Sequence, residues 1–296
     1  MATLLSLFLL ISTSIAASNT QVAPDALASQ YALPTSTSLP FPSATLSPND
    51  TEDLLVSKWS LNKGHIQDGP ENLAFVEDPY PNKPPNGAHG VSSPSGPVLQ
   101  VTYPAGSYSH DTGGVQFYNL WNTTDGSSFR TMMVSYELAF DSGFDWVKGG
   151  KLPGLRGGLN STGCSGGNQA DGSSCFSTRL MWRKNGEGEG SSIPTPNISE
   201  SILSHLKVYA YIPTLSSLCS QKSVTCNSDF GVSIQRGKFT FVTGEYVHFS
   251  VLSMSSHVGR KMDAHRPGSS TQRPSYDRKR QHSTFVCRNY YLNESG

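Results

Sequence analysis

The stretch that most constrains this chain runs Trp146-Val147-Lys148-Gly149-Gly150-Lys151-Leu152-Pro153-Gly154-Leu155-Arg156-Gly157-Gly158. Glycines and one proline surround Lys151 and short apolar steps. Glycine reaches backbone angles other residues avoid and lets another group approach the main chain closely. Pro153 fixes its own φ and pushes Leu152 toward an extended conformation. The stretch therefore reads as a shaped, nearly rigid turn or strand end that holds Lys151. Spacing alone leaves two uses open: a tight connection in a β protein with a solvated lysine, or a site that presents that lysine.

The run Gly150-Lys151-Leu152-Pro153-Gly154-Leu155, with Gly157-Gly158, resembles the signature of the polysaccharide lyase family 14 domain, found in fungal secreted proteins and in alginate lyases. The resemblance extends from about Trp59 to about Val251. It implies an all-β fold, a β-jelly roll or concanavalin-like sandwich, whose concave face cleaves an acidic, uronate-containing polysaccharide such as alginate or glucuronan by β-elimination.

Composition agrees with an all-β chain. Charged residues are 15% of the 296, whereas Gly and Pro number 28 and 19, which suits many turns better than long helices. The formal net charge of zero argues against nucleic acid as a partner, because phosphate binding needs a basic surface. An acidic polysaccharide is the expected partner, and the chain is expected to be a monomer.

Residues 1–17 read as a signal peptide: Leu4 to Ile15 are almost all apolar and run into Ala16-Ala17-Ser18. That run is short for a bilayer span, so no membrane role is expected after cleavage, and the protein is expected to be secreted and extracellular. Sequons at Asn49, Asn122, Asn160, Asn197 and Asn293 point to a glycoprotein. Of the five cysteines, Cys164–Cys175 and Cys219–Cys226 would each close a short polar loop in an oxidising compartment. Cys287 is then left over.

Residues 18–50 are rich in Ser, Thr, Pro and Ala and read as an extended linker. Residues 51–251 are the expected jelly-roll domain. Its clearest strand is Thr131 to Phe140, in which Val134, Tyr136 and Leu138 share one face. Further strands are expected at 72–76, 97–103, 115–118, 176–183, 206–213, 239–242 and 246–251, with a helical turn or a strand within 52–60. Residues 252–296 hold eight Lys or Arg against three Asp or Glu, a net of +5, with few apolar residues before Thr284. They read as a basic, disordered tail. The jelly roll is incomplete at its C-terminus if that tail supplies no strands.

A lyase acting on a uronate must neutralise the carboxylate, remove the C5 proton and protonate the departing O4. The family resemblance carries these tasks onto three groups here. They are Lys151, the pair Ser177 and Arg179, and the pair Tyr209 and Tyr211; each pair shares a strand face at period two. Arg179 and Lys151 would meet carboxylates, Arg179 in a bidentate pair. Ser177 would hydrogen-bond the sugar, and Tyr211 or Tyr209 would act as base, acid or both. His110 is a second candidate base or sugar contact, since histidine titrates near neutrality. Gln116 and Trp182 also lie within reach of the pattern, although Trp182 is one residue out of phase with Arg179 and is expected in the core. Zinc, phosphate-loop and nucleophile-elbow motifs do not occur, and no cofactor is expected. The reading from another class is a non-catalytic carbohydrate-binding wall protein. An inactive truncated family member is the third.

Overall fold

The computed structural model of the protein describes residues 24–61, 63–81, 83, 96–107, 112–121, 129, 131–158, 163–171, 174–189, 209–212, 214, 216–227, 231–237, 239–254, 262–265 and 283–295. In chain order the main elements are α1 (Pro24–Gln30), β1 (Thr35–Ser38), α2 (Pro48–Lys58), β2 (Leu73–Val76), β3 (Val98–Tyr103), β4 (Tyr118–Trp121) and β5 (Thr131–Phe140). They continue as β6 (Gly150–Gly158), β7 (Cys175–Trp182), β8 (Gly188–Glu189), β9 (Tyr209–Tyr211), β10 (Val224–Asn227), β11 (Gly231–Ile234), β12 (Tyr246–Met254), β13 (Met262–His265) and β14 (Ser283–Ser295).

Two antiparallel sheets face one another. One runs β12-β5-β14-β3-β2, with β1 added along β14. The other runs β10-β11-β9-β7-β6-β13-β4, with β8 added along β7. Period-two alternation explains the layer between them: Met132, Val134, Tyr136, Leu138 and Phe140 of β5 point inward and meet Leu152 and Leu155 of β6 and Leu180 and Trp182 of β7. This is the jelly-roll sandwich that the family resemblance implied, in a chain whose composition pointed to an all-β fold.

β5 is buried along its whole length, so its second face is covered too. Part of the cover comes from the segment expected to be an extended linker: Ala28 and Leu33 pack on Met133, and Leu39 enters the main core. A few apolar residues spaced among Ser, Thr and Pro suffice to dock this segment, and β1 pairs with β14. The expectation for residues 18–50 is corrected from Pro24 onward. The ambiguous stretch at 52–60 belongs to α2, which Ser47 caps by accepting from Asp50 N and which has proline in its first turn.

The tail is corrected as well. β14 lies between β5 and β3 in the middle of its sheet, and β13 lies between β6 and β4. Composition averaged over residues 252–296 hid a thirteen-residue run, Ser-Thr-Phe-Val-Cys-Arg-Asn-Tyr-Tyr-Leu-Asn-Glu-Ser, that is rich in β-branched and aromatic residues. Apart from these two strands and residues 252–254, which end β12, the tail lies outside the described residues, as do the apolar leader, His110 and the sequons at Asn122, Asn160 and Asn197. Expected strand 239–242 is irregular and makes a single bridge from Thr240 to Glu187, while Phe241 stacks on Trp146.

Candidate active site

The lysine stretch is a strand, β6, and its glycines are there for close approach. Trp182 of β7 packs across Gly150, where a Cβ would fall 2.0 Å from its ring, and a Cβ on Gly154 would fall 2.0 Å from Thr178 O and 2.6 Å from the Arg179 Cα. Only glycine lets β6 lie this near β7. Between Lys151 and Gly154 the register with β7 slips, a bulge centred on Leu152 and Pro153. Tyr136 of the opposite sheet donates its hydroxyl to Pro153 O at 3.0 Å and fixes that bulge from below. Trp182 rests edge-on against Tyr103, Phe140 and Phe144, so the β7 end of the site has a stiff floor.

Register then sorts the side chains. Thr178, Leu180 and Trp182 face the core, which leaves Ser177, Arg179 and Met181 on the outer face of the eight-stranded sheet. Lys151 is opposite Met181, and Arg156 is opposite Ser177. On the other side of β7, Tyr211 is opposite Ser177 and Tyr209 is opposite Arg179. The sheet thus brings Lys151, Arg179, Ser177 and Tyr211 to one face. The side chain of Tyr209 lies outside the described residues, so its placement is by register alone.

That face is crowded with positive charge. Lys151 is 7% exposed and Arg179 1%. Burial first, and then the nearby charges of Arg179 and Arg183, together lower the Lys151 pKa to about 7. A lysine placed this way is a poor cation and a competent base near neutral pH. Arg179 donates from Nη2 to the Ser177 hydroxyl at 2.7 Å, and that hydroxyl donates in turn to Cys164 O at 2.7 Å. Ser177 is fully buried and engaged on both sides, so it reaches a sugar only through Arg179.

Tyr211 is 3% exposed; its hydroxyl accepts from Gly167 N at 3.2 Å, and its ring packs with Met181 and the Cys164–Cys175 disulfide. Both disulfides anticipated from spacing are present, and Cys287 is a free, buried thiol. Trp182 sits in the core, as its phase predicts, and Gln116, between the buried Val115 and Phe117, is paired through its backbone with Asp68. Among the described residues no group of three or more His, Cys, Asp or Glu is gathered to hold a metal ion.

Two site residues were not foreseen. Arg156 is buried, donates from Nη2 to Gly163 O and lies 5.5 Å from the Tyr118 ring centroid. A charged residue inside the same Gly-rich run was the signal for it. Arg183 acts on Lys151 through its charge, and nothing in local sequence distinguished it.

Comparison with known proteins gives the arrangement a family. The family model for polysaccharide lyase 14 matches residues 91–258, more than half of the chain and all of the lysine stretch. The crystal structure of the marine PL-14 alginate lyase from Aplysia kurodai superposes with a TM-score of 0.56 at 24% identity, covering 86% of this chain and 100% of that one. A double mutant of alginate lyase Aly36B in complex with an alginate trisaccharide gives 0.50 at 14% identity, over 89% of this chain and 100% of that one. No curated protein sequence matches the chain. At these identities the superpositions establish a shared fold. The family model, lying across the strands that carry Lys151, Arg179 and Tyr211, establishes that this chain belongs to the polysaccharide lyase 14 family.

Proposed function

We propose that this protein is a secreted lyase that cleaves a polyuronate by β-elimination on the outer face of its eight-stranded sheet. The observation that carries this reading is Lys151, buried beside two arginines with its pKa lowered to about 7. Arg179 meets the uronate carboxylate and draws charge from C5. Neutral Lys151 accepts the C5 proton, the electron pair forms the C4–C5 double bond, and the C4–O4 bond breaks. A tyrosine of β9 protonates the leaving O4. Ser177 acts through Arg179, and His110 remains a candidate sugar contact. The apolar leader and the two disulfides support an oxidising, extracellular setting. In this reading residues 1–17 are removed, and everything from Pro24 to β14 works as one domain.

A second reading has its own observation. Arg179 and Tyr211 are almost wholly buried, which suits a carbohydrate-binding wall protein that keeps the fold without the reaction. The deciding experiment incubates the purified protein with alginate, glucuronan and pectate and follows the ultraviolet absorbance of the unsaturated sugar end. The lyase reading expects a rise on one polymer that disappears in Lys151→Ala and in Tyr209→Phe or Tyr211→Phe. No rise from protein that melts cooperatively sinks that reading in favour of the binding module.

A further inference from the structure

Arg156, Ser177 and Tyr211 form a straight row across β6, β7 and β9, each the register partner of the next. All three side chains end on the backbone of one short segment. Arg156 donates to Gly163 O, Ser177 donates to Cys164 O, and Tyr211 accepts from Gly167 N. The segment is tied down where it begins, because Cys164 is bridged to Cys175, the first residue of β7. Its backbone is not one the chain adopts freely: Cys164 has φ +53°, in the left-handed region that non-glycine residues avoid, and Gly166 and Gly167 also have positive φ. Both sulfurs pack with Met181 and Tyr211 in a small cluster of their own. The second disulfide, Cys219–Cys226, has a sequence separation of 7 and sits at β10 on the sheet edge, with β11 and β9 between it and β7.

We infer that the disulfide-tied segment 163–171 is a positioning element of the site, and that Ser177 is the positioning residue that transmits its hold to Arg179. The inference rests on the lyase reading. The segment fixes one atom on each of three adjacent strands, and through Ser177 it fixes one nitrogen of the guanidinium that meets the carboxylate. Loss of the tie lets Arg179 turn, and a misplacement of about 1 Å costs on the order of a hundredfold in rate.

The test compares Cys164→Ser/Cys175→Ser, Ser177→Ala and Ser177→Thr with the control Cys219→Ser/Cys226→Ser. It reads kcat and KM for elimination, calorimetric affinity for a uronate oligosaccharide, and thermal midpoint. The expected result is a kcat at least about tenfold lower in the first double variant and in Ser177→Ala, with KM changed much less. Ser177→Thr, which keeps a hydroxyl, recovers most of the rate, and the Cys219/Cys226 control loses stability but keeps its kcat. If Cys164→Ser/Cys175→Ser does not fold, Ser177→Ala, with both disulfides intact, carries the test. Unchanged kcat in both variants overturns the inference. So does a rise in activity, which would make the segment a cap, or an equal loss in the control, which would make the effect general destabilisation. If the unaltered protein eliminates on no polyuronate, the lyase reading fails by itself. The affinities then decide the positioning claim, which stands if they fall in the two variants and not in the control.

Discussion

Lys151 is tested most directly by pH. Its folded pKa of about 7 lies below the ordinary 10.5, so the fold disfavours the ammonium. Below about pH 7 both folded and unfolded chains carry the proton, and the full penalty of burying it is present. Between about 7 and 10.5 the unfolded chain binds more protons, so the Lys151 contribution to stability rises with pH. Lys151→Met is expected to melt higher than the parent at pH 6, with the difference shrinking as the pH approaches 10. For the reaction, the neutral amine is the active form, so kcat/KM rises with pH through a limb near 7. That limb vanishes in Lys151→Ala together with about a hundredfold or more of the rate. A profile that instead falls through pH 7 would mean that Lys151 works as a cation on the carboxylate. At the same scale, Gly154→Ala places a methyl against Thr178 O and the Arg179 backbone. Overpacking of this kind costs about 1–3 kcal/mol and separates β6 from β7. A thermal midpoint equal to the parent's would contradict the packing described here.

Among the elements, β6 and β7 show how sequence and structure divide the information. Alternation located β5 to the residue, because β5 obeys period two against a core. The same rule placed Ser177 and Arg179 on one face and Trp182 on the other. It could not read β6 as a strand, because the residues that make a strand fit closely against its neighbour, Gly150 and Gly154, are those that mark turns elsewhere. Nor could it place Lys151, since the bulge at Leu152 and Pro153 shifts the phase of everything before it. The bulge is held across the sandwich by the Tyr136 hydroxyl, a pairing seventeen residues apart in sequence that no local pattern encodes. Tyr136→Phe removes that one hydrogen bond and is expected to lower stability by about 1 kcal/mol. Its larger effect should fall on turnover, because Lys151 sits at the edge of the bulge. Chemical denaturation and steady-state kinetics on the same preparation separate the two. A stability loss with unchanged kcat would show that the bulge keeps its shape unaided.

For the molecule as a whole, the decisive element is the one composition concealed. A basic, apolar-poor tail reads as disorder, yet its last thirteen described residues are the strand that joins β5 to β3. Backbone pairing and the burial of Cys287 and Leu292 outweigh the average charge of the residues around them, because a strand needs only its own pattern to dock between two open neighbours. β1 depends on it in turn, since its pairing is with residues 291–294 of β14. Through β1 the N-terminal segment that covers Met133 depends on it too. Removing everything after Met254 would therefore do more than shorten the chain. It would leave facing edges on β5 and β3, take the register partner from β1, and uncover part of the core between the sheets. The truncated protein is expected to lose its cooperative melting transition and to aggregate, while the full chain melts in one step and yields a protease-resistant fragment that includes β14. A stable, cooperatively melting core that ends near Val251 would show that the two sheets close without the tail. The jelly roll would then have to be completed by pairing β5 directly with β3.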